Sequence, residues 1–121
     1  MAFISRLLLI FKSPNYPQST QQKMENELIL NEDKKRFEMH IGGHIAFIEY
    51  ILNVDNIMFL THTEVPVALE GKGIGKNIVE KALNYIKDHN YTLAPLCPFV
   101  AAYLKRHPDW KSILAKGYHV G

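Results

Sequence analysis

A chain of 121 residues with 47% apolar and 21% charged content is sized for one globular domain with its own core. A formal net charge of +2, with no Lys/Arg cluster set among exposed aromatics, argues against binding to nucleic acid. Cys97 is the single cysteine, so no internal disulfide can form and the core must supply the stability, which suits a reducing, cytoplasmic setting.

Residues 1–23 read differently from the rest. Leu7 to Phe11 is apolar, Arg6, Lys12 and Lys23 are basic, and no acidic residue precedes Glu25. This extension is either an organelle-targeting leader or sequence upstream of a natural start at Met24. Its apolar run is too short to span a bilayer, so no membrane span is expected. The domain proper covers 24–121.

Leu28 to Leu30 reads as a short strand and Asn31 to Lys34 as a polar turn. Phe37, Met39 and Ile41 then alternate with Arg36, Glu38 and His40, the pattern of a half-buried strand. Gly42-Gly43 is a two-residue hairpin signal that returns His44 to Leu52 antiparallel. A turn at 53–56 leads into Ile57 to Thr63, rich in residues that suit a pleated, buried surface and closed by Pro66.

Three alternate glycines, Gly71, Gly73 and Gly75, follow and open a helix. Ile74, Ile78, Val79, Ala82, Leu83 and Ile86 recur at helical spacing over 74–88, with Lys76, Asn77, Glu80, Lys81, Asn84 and Lys87 on the other face. Unhindered amides of Gly71, Lys72, Gly73, Ile74, Gly75, Lys76 and Asn77, at the positive end of a helix, make a cradle for a diphosphate. Lys72, Lys76 and Asn77 also offer side chains to phosphates. The nucleotide-triphosphate loop does not fit, because Gly71 lies one residue too close to Gly75-Lys76 and Asn77 replaces the Ser or Thr. The dinucleotide fingerprint does not fit either, since Lys76 stands where its third glycine belongs.

Tyr91 to Leu96 reads as a fifth strand. Reached through a helix, it must run parallel to the strand ending near Glu64. Cys97 precedes Pro98, which suits the first position of a helix running to about Arg106, with a short tail from Trp110. A thiol at such a junction has its thiolate favoured and can act as a nucleophile, although a lone cysteine is as often a small core residue. His62 and Glu64 share one strand face, with Glu49 on the neighbouring strand. His62 is the candidate base, its imidazole titrating near neutrality, or else a hydrogen-bonded sheet histidine. His40 and His44 lack a third ligand, so no metal is expected.

The loop resembles the acyl-CoA loop of GNAT-type N-acetyltransferases, whose pattern is Arg or Gln, two residues, Gly, one residue, then Gly or Ala. Gly73 and Gly75 match, and Glu70 replaces the leading Arg or Gln. Together with Pro95-Leu96-Cys97-Pro98-Phe99 and His107-Pro108-Asp109-Trp110, the loop is similar to that of small single-domain GNAT-like enzymes with a Cys-Pro after the strand that follows the CoA helix. The likeness runs from about Lys35 to Trp110.

This resemblance implies an α/β fold with a mixed, mainly antiparallel sheet, a central CoA-binding helix and a second helix after the fifth strand. It implies acetyl-CoA as co-substrate, with backbone groups of Val65 and Val67 pairing with its pantetheine arm and Arg106 near its nucleotide end. It implies transfer of the acetyl group to a primary amine, on a small molecule or a protein, either directly or through acetyl-Cys97. Tyr103 would protonate the departing thiolate. The alternative is a non-catalytic CoA or acyl-CoA binding module.

Overall fold

The computed structural model describes residues 26–120, so the extension read over 1–23 lies outside the described residues. Four strands follow one another in an antiparallel meander: β1 (Ile29–Asn31), β2 (Arg36–Ile41), β3 (His44–Leu52) and β4 (Ile57–Glu64). The Gly42-Gly43 hairpin forms as expected. Ile41 faces His44, and both glycines take positive φ (+56° and +82°), which two-residue turns of this hand require.

Helix α1 (Ile74–Asp88) crosses over the sheet and delivers β5 (Thr92–Pro95), which pairs parallel with β4 from Ile57↔Thr92 to Leu60↔Pro95. Helix α2 (Pro98–Arg106) follows directly. The result is a five-stranded, mainly antiparallel sheet in sequential order, the mixed α/β architecture expected. What sequence alone reads as a tail from Trp110 is ordered. A 3₁₀ turn over Pro108–Ile113 leads to Leu114, which bridges Leu93 in parallel, and Ala115 N–H donates to Leu93 C=O at 2.8 Å.

The apolar stripe of α1 explains where the core lies. Ile78, Val79, Ala82, Leu83 and Ile86 are fully buried against Phe37, Met39, Ile48, Leu60 and Leu93 of the sheet. Each of these side chains other than Ala82 stabilises the fold by about 1.5–3 kcal/mol. The opposite sheet face, carrying Phe47, Glu49 and Ile51, bears no helix among the described residues, though Tyr118 reaches Phe59 there edge to face.

Glu38 lies on that uncovered face, where alternation places it, yet it is only 4% exposed. It is shielded by its own partners: Asn31 Nδ2 at 3.0 Å, Arg36 Nε at 2.6 Å and His40 Nε2 at 2.8 Å. Arg36 also lies over the Phe47 ring, 4.1 Å from its centroid. Burial pushes the Glu38 carboxyl up, but hydrogen bonds from His40, Arg36 and Asn31 outweigh it and hold the group down at about 2.

An unfolded glutamate titrates near 4.3, so the Glu38 charge stabilises the fold fully above about pH 4.3 and ceases to do so as pH falls toward 2. Urea denaturation should therefore show stability falling between about pH 5 and pH 2. In Glu38→Gln the stability at pH 7 should drop by about 1–3 kcal/mol and the acid limb should flatten. An unchanged acid limb in the variant would mean that other carboxylates govern it.

Candidate functional site

Two departures from regular pairing open a gap at the edge of the sheet. In β4, Glu49 faces His62 and Tyr50 faces Leu60, so Thr61 is an extra residue, a bulge stabilised by its hydroxyl donating to Glu49 C=O at 3.3 Å. In β5, Pro95 has no N–H to give, and Leu96 N–H turns back onto Ala94 C=O at 3.0 Å. The last link between the two chains is Cys97 N–H to Leu60 C=O at 2.9 Å. Beyond it β4 runs on from Thr61 to Glu64 with no strand on that side among the described residues.

The bulge decides which side chains flank the gap. Ile48 and Tyr50 face α1, so their neighbours Phe47 and Glu49 face the uncovered side. His62, opposite Glu49, and Glu64, opposite Phe47, join them there. Thr63, opposite Ile48, turns to the helix side, where its Oγ1 lies 3.3 Å from Cys97 Sγ. The candidate base and the candidate thiol thus stand on opposite faces of the same gap.

His62 is exposed and its Nε2 lies 2.8 Å from Glu64 Oε1, with the Phe47 ring centroid 6.3 Å from its own. A carboxylate can only accept, so Nε2 carries the proton and Nδ1 of a neutral ring is left as the acceptor. Cys97 is the N-cap of α2 with Pro98 in the first turn, as expected, but its thiol makes no cap bond and is 3% exposed. Its one side-chain partner is Thr63.

Next to the gap lies the glycine loop. Gly73, at φ +75°, is the N-cap of α1, and no side chain caps the helix or places an acid in its first turn. The amides of Ile74, Gly75 and Lys76 are therefore free for an anion. The amide of Asn77 is not, because it donates to Gly73 C=O at 3.0 Å. Gly75 serves a different need: a Cβ there would sit 2.7 Å from Cζ of Phe99, which lies across the first turn.

Val65, Gly71, Gly73, Ile74, Gly75, Lys76 and Arg106 line one cleft of about 350 Å³, with Glu70 and Phe99. Lys72 and Val67 are not part of it. Val67 does not extend β4 but opens a 3₁₀ turn, its carbonyl accepting Glu70 N–H at 3.1 Å, so the free edge expected at 65 and 67 is half spent. Asn77 and Tyr103 line a second cleft, which shares Gly73, Lys76 and Arg106 with the first. There Tyr103 stacks on His107 at 4.2 Å between centroids, and burial, then the Glu80 charge, push its phenol up. Thr61, Thr63 and Phe99 flank the gap or the cleft and were not singled out from sequence. Nothing in their residue types marks them, because each acts through a register shift or a tertiary contact.

A sequence profile described as GCN5-related N-acetyl-transferase matches residues 36–113. Among curated proteins the chain is similar to Protein NATD1 of Xenopus tropicalis, 33% identical over 65% of this chain and 76% of that one. Protein NATD1 of Danio rerio is 28% identical over 70% and 81% of the two chains. Among solved structures, a GCN5-like protein from Staphylococcus aureus superposes with a TM-score of 0.58 at 20% identity, over 80% of this chain and 98% of that one. That likeness supports the fold.

The loop geometry separates two glycine substitutions. Gly73→Ala should cost about 1–2 kcal/mol, since an L side chain is strained at positive φ. Gly75→Ala should be within about 1 kcal/mol of wild type, because the gain in helix propensity offsets the displacement of the half-exposed Phe99. Chemical denaturation of both variants checks this. Equal losses would contradict the assigned conformations.

Proposed function

Because the chain belongs to the GCN5-related N-acetyltransferase family, we propose that it transfers an acetyl group from acetyl-CoA to a primary amine across the gap between β4 and β5. The observation that carries this reading is the gap itself. It opens at Leu60 and Cys97, beside free helix amides and two cationic side chains, Lys76 and Arg106. The diphosphate of the donor would accept hydrogen bonds from Ile74, Gly75 and Lys76 N–H, in the favourable field of the helix end. Its pantetheine arm would replace the missing strand beside Thr61 to Glu64.

The amine enters from the uncovered face. His62 Nδ1 takes its proton, with Glu64 holding the imidazole through Nε2 and stabilising the imidazolium that forms. The neutral amine attacks the thioester carbonyl, the tetrahedral adduct collapses with cleavage of the C–S bond, and the proton that the nitrogen sheds passes through water to the departing CoA thiolate, giving the amide and CoA. Direct transfer is favoured because, among the described residues, the Cys97 thiol is hydrogen-bonded by the Thr63 hydroxyl and by no His or carboxylate that would activate it. A second reading, through acetyl-Cys97, rests on the position of the thiol at the apex of the gap.

Calorimetric titration with CoA is the first test, and no heat at millimolar CoA would overturn the reading. Glu70 lines the cleft and its carboxylate opposes a diphosphate, so Glu70→Gln should tighten CoA about two- to fivefold. With any amine that supports turnover, His62→Ala should lower kcat about 10²-fold or more and leave CoA affinity unchanged. Peptide mass spectrometry after incubation with acetyl-CoA alone separates the two routes: an unmodified Cys97 with turnover intact fits direct transfer, and an acetylated Cys97 whose label chases into the amine establishes the covalent one.

A further inference from the structure

The strand register sets one carboxylate on the uncovered face apart. Glu49, within β3, stands directly opposite Arg36 of β2 on one side and His62 of β4 on the other. Opposite charges at such cross-strand positions ordinarily pair. Here neither neighbour turns to it. Arg36 Nε donates to Glu38 at 2.6 Å and its guanidinium lies over the Phe47 ring, 4.1 Å from the centroid, while His62 Nε2 is bound to Glu64 at 2.8 Å. Among the described residues no side-chain hydrogen bond or ion pair reaches the Glu49 carboxylate, although the residue is half-buried. Its backbone is held beside the gap, because its carbonyl accepts the Thr61 hydroxyl of the bulge.

A carboxylate left this way, one strand from the base, suits a cation brought by the acceptor. It does not suit the reacting nitrogen itself, because a negative charge bound to an ammonium holds its proton on and opposes transfer to His62. The cation that fits Glu49 is a second one, which stays charged throughout. Cross-strand partners carry their Cβ atoms about 4.5–5.5 Å apart, so a cation on Glu49 and a nitrogen at His62 are separated by roughly 5–8 Å. At ordinary carbon–carbon bond lengths that separation is spanned by about three to five methylene groups. Phe47 and the exposed Ile51, two residues to either side of Glu49 on the same face, offer apolar surface to such a chain.

We infer that the acceptor is a short aliphatic diamine or polyamine, and that Glu49 selects it by binding its second ammonium while the first gives up a proton to His62. The inference rests on the acetyl-transfer reading and deepens it, naming the acceptor class and a residue that holds the acceptor without entering the proton transfer. The reaction balances as before: one nitrogen becomes the amide, CoA leaves with the proton that nitrogen sheds, and the distal ammonium is unchanged. An amine with an uncharged tail leaves Glu49 without a partner and is the poorer substrate.

Diaminobutane and aminobutanol, with the two groups at opposite ends of the same chain, differ in the second charge and little else. At fixed acetyl-CoA the wild type should use the diamine with a kcat/KM at least about tenfold higher, the difference lying in KM. Raised ionic strength should shrink that preference. Glu49→Gln should bring the two amines to within about threefold of each other by raising KM for the diamine, whereas Glu49→Asp, which keeps the charge, should retain the preference. Equal use of both amines by the wild type, a preference that survives Glu49→Gln, or an equal fall in kcat for both amines in that variant would overturn the inference. Failure to acetylate either amine, by a protein that binds CoA in the calorimeter, would also overturn it and leave the reading of the donor side standing. Absence of CoA binding would bring down both.

Discussion

The parting of β4 from β5 after Leu60 is the constraint on which the site depends. A proline without a donor, a tight turn from Leu96 N–H to Ala94 C=O and an extra residue at Thr61 act together. Sheets ordinarily gain by pairing every strand, and an unmade backbone bond forgoes about 1 kcal/mol. Here the stretch that keeps its pairing with β3 but lacks a partner on the β5 side is Thr61-His62-Thr63-Glu64, four residues whose side chains tolerate water. The fold thus keeps an edge open where a ligand with amide groups can complete it.

The same bulge distributes the chemistry. Without it, period-two alternation from Met58 and Leu60 would carry His62 into the core beneath the helices. With it, His62 and Glu64 face water and Thr63 meets Cys97. A thioester carbonyl lying in the gap would be approached by base and amine from the uncovered side, with the thiol behind it. That separation is why a shared nucleophile and base pair is not formed between Cys97 and His62.

Much of this was legible in the sequence, and for identifiable reasons. Helix α1 stands where its apolar stripe places it, and Gly42-Gly43 turns because both residues need positive φ. Cys97-Pro98 marks the start of α2 because proline fits the first turn. The open start of α1, with uncapped amides from Ile74 to Lys76, was readable from glycine spacing. What escaped was set by tertiary contacts: the bulge at Thr61 carries no glycine to announce it, and Phe99 matters only because α2 crosses α1 at Gly75. Glu38 reads as a surface residue until Arg36, His40 and Asn31 are seen to close over it. On the face that bears no helix among the described residues, that polar cluster does the shielding that apolar packing does on the other.

One modest element guards against an unwanted outcome. β5 is the last strand of the sheet, and its outer edge would offer bare donors and acceptors to any passing chain. Leu114 and Ala115 lie along that edge at Leu93 and occupy it. The segment after α2 therefore covers that edge at Leu93, where another strand would otherwise pair, while the edge of β4 beyond Leu60 stays open.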